Sequence, residues 1–392
     1  MLLSKGVSLD LIGSDDLDFP EFRYQPGLTF HNLRGSHRQG VSFARKVLRV
    51  LIYYVKLICY AATSRPRVFH ILWNNKFETF DRTLLLLYYK LLRKKIVLTV
   101  HNVNMGRRDS EDSGLNRHTL RIQYHLADHL FVHTAKMKTE LVEEFGVRDS
   151  QIAVIPFGMN NAVPKTALTP SEAKERLGLT KEERAILFFG RITPYKGLDY
   201  LITAFRGLSK QREKHRLIIA GRPDRCEAYW GPLRAEILDD VQTGGILLKD
   251  TFIPDDEVEI YFKAADVLVL PYRDIYQSGV LFLGQSFGIP TLAADVGSFK
   301  DEIVEGRMGY LFKPGDPDDL KRAIADYFSS DMYADLSQRR LEICDRATER
   351  HSWELVGQVT MRVYSNLLQI PLASQTTVRN VPGESCNVKA PL

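Results

Sequence analysis

Short apolar runs alternate along this chain with longer stretches in which apolar residues recur every three to four positions. The runs are VSLDLIG, VFHILW, KIVLTVHNV, HLFVHT and IAVIPFG before residue 160, and AILFFG, RLIIAG, VLVLPY, PTLAAD and GYLFK after residue 185. Brief runs without polar alternation suit strands buried on both faces, and strands separated by helices pair in parallel. The pattern predicts two α/β units of five strands each, and 392 residues are too many for one ordinary core. Between the units, MNNAVPKTALTPSEAKERLGLTKEER carries Asn, Pro and Thr and one short capped helix, which is a linker composition. The expected segments are 1–157, a linker over 158–184, 185–350, a helix over 351–368, and a disordered tail over 369–392, where periodicity is lost.

Ligands of open parallel sheets bind outside the carboxyl ends of the strands. Three loops of the second unit carry suitable chemistry there. In GRITPYKG, Arg191 offers a bidentate fork and Lys196 a point charge for an anion, next to Gly190. In AGRP, Gly221 would let the backbone approach a ligand closely. In YQSGVLFLG, Ser278, Gly279 and Val280 open a helix whose first N–H groups can hold a phosphate, and a side chain at Gly279 is expected to occupy the space where the phosphate approaches and to penalise any positive φ there. Singly, each has an ordinary reading as a surface charge or a turn cap; together, in this order, they point to a phosphate site.

FFGRITPYKGLDYLITAF, LIIAG, IPDDEVEIYFKAADVLVLPY, FGIPTLAADVGSFKDEI and GYLFKPGDPDDLKRAI together resemble the donor domain of GT4-family glycosyltransferases, a similarity that runs from about Val7 to Leu368. The resemblance implies a GT-B fold, in which two Rossmann-like doubly wound parallel-sheet domains face a cleft and the helix over 351–368 returns to the first. It implies a retaining glycosyltransferase of hexosyltransferase type. Arg191 and Lys196 would hold the diphosphate of a nucleotide sugar and oppose the charge of the leaving group. Gly190, Gly221, Asp274, Gln277, Ser278, Gly279 and Val280 would complete the donor site, and His101, after the strand in VLTVHNVN, would face the reacting sugar. His70 and His133 also end strands and suit structural or acceptor-side roles. The family generally needs no bound metal, so no cofactor is expected. Bacterial surface polysaccharide or a lipid-linked glycan is the implied acceptor class.

Two departures from the family stand out. The usual pair of glutamates with seven residues between them falls here on Ile275 and Leu283, neither acidic, with Asp274, Gln277 and Ser278 as the polar groups nearby. The N-terminus, MLLSKGVSLDLIGSD, resembles the end of the family's first helix, so the first, central strand and its glycine-rich loop are expected to be missing. These departures favour a rival reading, a degenerate member that binds nucleotide sugar or a partner transferase. A nucleotide-sugar epimerase on the same fold lacks its acidic constellation here.

Charge changes the picture modestly. Residues 1–160 hold 23 Lys and Arg against 15 Asp and Glu, whereas the whole chain holds 53 against 48. The excess is too diffuse for a nucleic-acid binder. Two contributors to it, SFARKVLRVLIYYVKLICYAA and LLLLYYKLLRKK, set tyrosines and cations beside leucines and suit peripheral contact with an anionic membrane; buried helices with solvated basic ends suit them equally. No apolar run reaches the ~18–20 residues that span a bilayer. Cys59, Cys226, Cys344 and Cys386 have no paired or metal-like spacing, as in a reducing compartment. The expected location is the cytoplasm, at the inner face of the membrane if lipid is met.

Overall fold

The structure is a computed structural model that describes residues 2–35, 42–108, 112–160, 163–208 and 214–370. Most of the expected tail, with Cys386, lies outside the described residues. The N-terminal strands are β1 (Leu9–Gly13), β2 (Leu28–Asn32), β3 (Val68–Ile71), β4 (Lys95–Thr99), β5 (His129–Val132) and β6 (Ile152–Val154). The second set is β7 (Arg184–Phe189), β8 (His215–Ala220), β9 (Ile246–Lys249), β10 (Val267–Leu270), β11 (Thr291–Ala294) and β12 (Gly309–Phe312). The helices used below are α1 (Phe43–Thr63), α2 (Leu86–Leu91), α3 (Met105–Arg108), α4 (Ala135–Glu143), α5 (Pro170–Arg176), α6 (Leu198–Arg206), α7 (Asp255–Ala264), α8 (Gly279–Ser286) and α9 (Trp353–Leu368).

Among the described residues each half has six strands rather than the five expected. The two that escaped the pattern are β2 and β9, both edge strands. An edge strand keeps part of its surface in solvent, so LTFHN and ILLK lack the fully apolar signature of an inner strand.

The second sheet is parallel throughout, in the order β12-β11-β10-β7-β8-β9. Its strands alternate between two cores, as a period of two requires. Ile186, Phe188, Leu217, Ile219, Val267 and Val269 face one core; Ala185, Leu187, Ile218, Ala220, Leu268 and Leu270 face the other. From β7 the chain winds one way to β8 and β9, and from β10 the other way to β11 and β12. The order therefore reverses between β7 and β10, which opens a crevice at their carboxyl ends.

The N-terminal strands form two parallel sheets, β1-β2 and β3-β4-β5-β6. Helix α9 covers one face of the four-stranded sheet through Val356 and Val363 on Val97 and Phe131. It is pinned by His70, which sits 2.6 Å from Tyr364 Oη and 2.8 Å from Thr99 Oγ1, a structural role for that histidine. In the linker, α5 packs on α7 through Leu168, Ala173 and Ala264.

One buried pair ties α5 to the two strands that bear the crevice. Lys174 Nζ donates to Asp266 Oδ2 at 2.8 Å, and the same oxygen accepts from the Ala185 amide of β7 at 2.8 Å. Both side chains are about nine-tenths buried or more. Asp266→Ala would strand the Lys174 ammonium and should cost on the order of 3–5 kcal/mol of unfolding free energy. Urea unfolding checks this; a loss below ~1 kcal/mol would show that the pair does not hold the sheet.

Candidate functional site

Three segments meet in the crevice between β7 and β10. A Cβ placed on Gly190, the residue after β7, would stand 2.9 Å from Lys196 Nζ and 3.3 Å from Val280 Cγ2. The glycine thus leaves room for the lysine head and brings it beside the start of α8. Gly221 has a packing role. Its φ is +142°, and a Cβ there would lie 2.1 Å from the Gly190 carbonyl oxygen, so its missing side chain lets the two strand-end loops pack on each other.

Lys196 closes the short turn Pro194–Lys196 before α6 and is buried, with its Nζ 5.5 Å from the centroid of the Tyr272 ring. No carboxylate among the described residues pairs with it. Burial, reinforced by the charges of Arg191 and Arg108, brings its ammonium down to about 7. Arg191 is largely exposed and bonds Asp224 at 2.8 Å, an ion pair that holds the Asp224 carboxyl below its usual range. Arg108 ends α3, in the first half, and reaches across to lie 4.3 Å over the Tyr195 ring. The sequence reading missed it; its only signal was a pair of arginines in the loop after β4.

Helix α8 begins in the same place. Ser278 is its N-cap residue, but its side chain makes no cap bond and instead sits 3.5 Å from Tyr272 Oη. The amides that open the helix are therefore left to other acceptors. Gly279 has no positive φ, and a Cβ there would meet only the Phe157 ring at 3.8 Å, an ordinary contact. The expected conformational penalty for a side chain does not arise at this position. Asp274 is exposed, whereas Gln277 Oε1 is buried without a partner. Ile275 and Leu283 are buried in the core, which accounts for the absence of acids there.

An aromatic chain joins this loop to the histidines of the first half. Phe157 stacks on Phe282 of α8, with ring centroids 5.1 Å apart, and meets His133 edge-on at 5.1 Å. His133 Nε2 lies 3.1 Å from His101 Nδ1, while His133 Nδ1 faces the Ile155 carbonyl at 3.4 Å. A carbonyl only accepts, so His133 carries its proton on Nδ1, His101 donates from Nδ1, and His101 Nε2 is left as an acceptor. Burial lowers both histidines, His133 to about 4, so the pair is neutral at neutral pH. Trp73 stacks on the His101 ring at 4.2 Å and 11°. Beside them, at the carboxyl ends of β3 and β4, a cavity of about 150 Å³ is lined by Trp73, Asn74, Arg82, Thr99, His101 and Gln123 among others. Arg82 Nε is buried there with no partner.

Lys196, Arg191 and Arg108 thus gather near the start of α8, which the Phe157 ring links to His133 and His101. The model of Glycosyltransferase Family 4 matches residues 1–162, and that of Glycosyl transferases group 1 matches residues 170–342. A D-inositol 3-phosphate glycosyltransferase of Streptomyces avermitilis is 29% identical over 251 residues, which is 62% of this chain and 53% of that protein. Its counterpart in Geodermatophilus obscurus is 30% identical over 274 residues, 66% of this chain and 56% of that one. The matched part of the chain thus spans about half the length of these relatives. Among solved structures, sucrose-phosphate synthase from Thermosynechococcus elongatus superposes with a TM-score of 0.73 at 17% identity, over 94% of this chain and 91% of that one. Anabaena HepE in complex with UDP and glucose gives 0.71 at 15% identity, over 92% and 99%. With the two models following one another along the chain and a GT-B architecture beneath them, the chain belongs to the family 4, group 1 glycosyltransferases.

Proposed function

We propose that this protein transfers a sugar from a nucleotide-sugar donor to an acceptor hydroxyl with retention, in the synthesis of a bacterial surface polysaccharide or lipid-linked glycan. The observation that carries the reading is Lys196, a buried ammonium whose charged neighbours are two arginines and which pairs with no carboxylate among the described residues. Such a group is costly unless an anion joins it. A diphosphate fits, with its remaining oxygens on Arg191, Arg108 and the amides of Gly279 and Val280. The complexes of HepE with UDP and with UDP-glucose support a nucleotide sugar as that ligand.

In this reading the bond between the anomeric carbon and the diphosphate oxygen breaks, the acceptor oxygen bonds that carbon from the same face and gives its proton to the departing diphosphate, and the cations take up the charge that grows on the leaving group. The sugar passes through an oxocarbenium-like state. His101 Nε2 accepts a hydrogen bond from the donor sugar, Gln277 Oε1 from another of its hydroxyls, and the acceptor enters from the cavity beside Trp73. The cations act without a resident metal. The buried, apolar Ile275 and Leu283 favour a second reading, a member that binds nucleotide sugar without turnover. Transfer assayed with the nucleotide sugar that most stabilises the protein separates the two.

Lys196→Met should lower transfer by about 2–4 kcal/mol of barrier and weaken nucleoside diphosphate binding, while melting no lower than the parent at neutral pH. The sign follows from the lowered value: the charged lysine costs folded stability below about 7, and the cost fades as pH rises toward 10.5. Unchanged nucleotide affinity in this variant would remove the proposal.

Arg108→Ala should cost on the order of 1.5–3 kcal/mol of diphosphate affinity, read by calorimetry. Full affinity would place Arg108 outside the site.

A further inference from the structure

We propose that the outer face of α1 and α2 is a docking surface for an anionic lipid bilayer, positioned to deliver a membrane-borne acceptor to the cavity at His101. This rests on the transferase reading for what is delivered, but not for the docking itself. Helix α1 has two apolar faces. Tyr53, Tyr54, Leu57 and Ala61 point inward and share a core with Leu85, Leu86 and Tyr89. Leu48, Leu51, Ile52 and Val55, at i, i+3, i+4 and i+7, form the opposite stripe, and Leu48 and Val55 are 57% and 60% exposed. The neighbouring helical run adds Leu84, Leu87 and Leu91, the last 75% exposed. The two elements are adjacent, since Tyr88 Oη donates to the Ile58 carbonyl at 3.1 Å. A face of this size on a folded protein marks a contact surface.

Charge selects the occupant. The 21 residues of α1 include Arg45, Lys46, Arg49 and Lys56 and no acid. Arg45, Arg49 and Lys56, spaced i, i+4 and i+11, follow one flank of the apolar stripe. An apolar stripe edged by cations fits the boundary between acyl chains and anionic headgroups. A second copy fits badly, because a two-fold contact would set this acid-free stripe and its cations against their own duplicate. No described helix is long and apolar enough to cross a membrane, so the contact would be peripheral.

Helix α1 also lies beside the segment that borders the site. Tyr53 Oη donates to Asn75 at 2.7 Å, and the Phe77 amide donates to Tyr54 Oη at 3.1 Å, which fixes the segment after β3 against α1. That segment exposes Leu72, Trp73 and Phe77, and Trp73 ends on the His101 ring. The segment after β3 is thus held on the inward side of α1 and carries exposed apolar side chains to the lip of the cavity.

Sedimentation of the full chain with vesicles tests this, using phosphatidylcholine alone and with about one third phosphatidylglycerol. The parent should bind the anionic vesicles and not the neutral ones. Leu48→Ser/Val55→Ser, both exposed and so compatible with folding, should weaken binding about tenfold. Arg45→Glu/Lys56→Glu should weaken it more than about a hundredfold. Nucleotide affinity and melting temperature should stay at parental values in both variants, so loss of docking is distinguishable from failure of the donor site. Absence of vesicle binding, equal binding to both compositions, or parental binding by the variants would overturn the proposal. So would a dimer that forms without lipid and dissolves on Leu48→Ser/Val55→Ser.

Discussion

An ammonium held out of water, with two guanidinium groups near it and no carboxylate to answer it, is the least comfortable charge in this protein. Desolvation and like-charge repulsion both act to remove the proton from Lys196, and the fold keeps the side chain in place nonetheless. The features around it take their meaning from that conflict. Gly190 has no side chain where the lysine head must lie, Tyr272 gives the cation a ring to face, and α8 starts with open amides instead of a side-chain cap. The ring eases the charge only in part, and the open amides remain without a side-chain acceptor. Each becomes favourable once a multiply charged anion is present.

The sheet topology explains why these groups meet. A parallel sheet that winds in opposite directions from two adjacent strands leaves their carboxyl ends uncovered, and β7 and β10 are those strands. The two cores above and below fix the strands, and the Asp266–Lys174 pair fixes β7 against β10 from the amino end. The first half contributes through contacts rather than through strand pairing. The Phe157 ring couples the start of α8 to His133 and so to His101, while Arg108 adds charge from the opposite wall.

Inner strands, loop cations and the helix that opens at Gly279 could be read from the sequence, because burial on both faces leaves a continuous apolar run and a phosphate site needs cations and glycines in fixed places. What could not be read depends on partners distant in sequence. That Gly221 seats the Gly190 carbonyl shows only in the packing, as does the absence of a positive φ at Gly279. Arg108 was one of many arginines until the cleft brought it near Lys196. The strands β2 and β9 lie at sheet edges, where the pattern weakens. The apolar periodicity of α1 was visible, yet only the packing of Tyr53 and Leu57 shows which face is spent inward and which is left outside.

The central claim is that the pocket around Lys196 is completed by an anion, and protonation of the lysine reports on it directly. At about pH 8 the free protein should hold Lys196 largely uncharged, and a bound diphosphate should restore its proton. Calorimetric titration with the nucleoside diphosphate that most stabilises the protein, repeated in buffers of different ionisation enthalpy, counts that proton. The account predicts uptake approaching one proton per nucleotide at pH 8, declining as pH falls below about 7, and none in Lys196→Met. Binding without proton uptake between pH 7 and 9 would contradict it, because the lysine would then be either charged throughout or absent from the site.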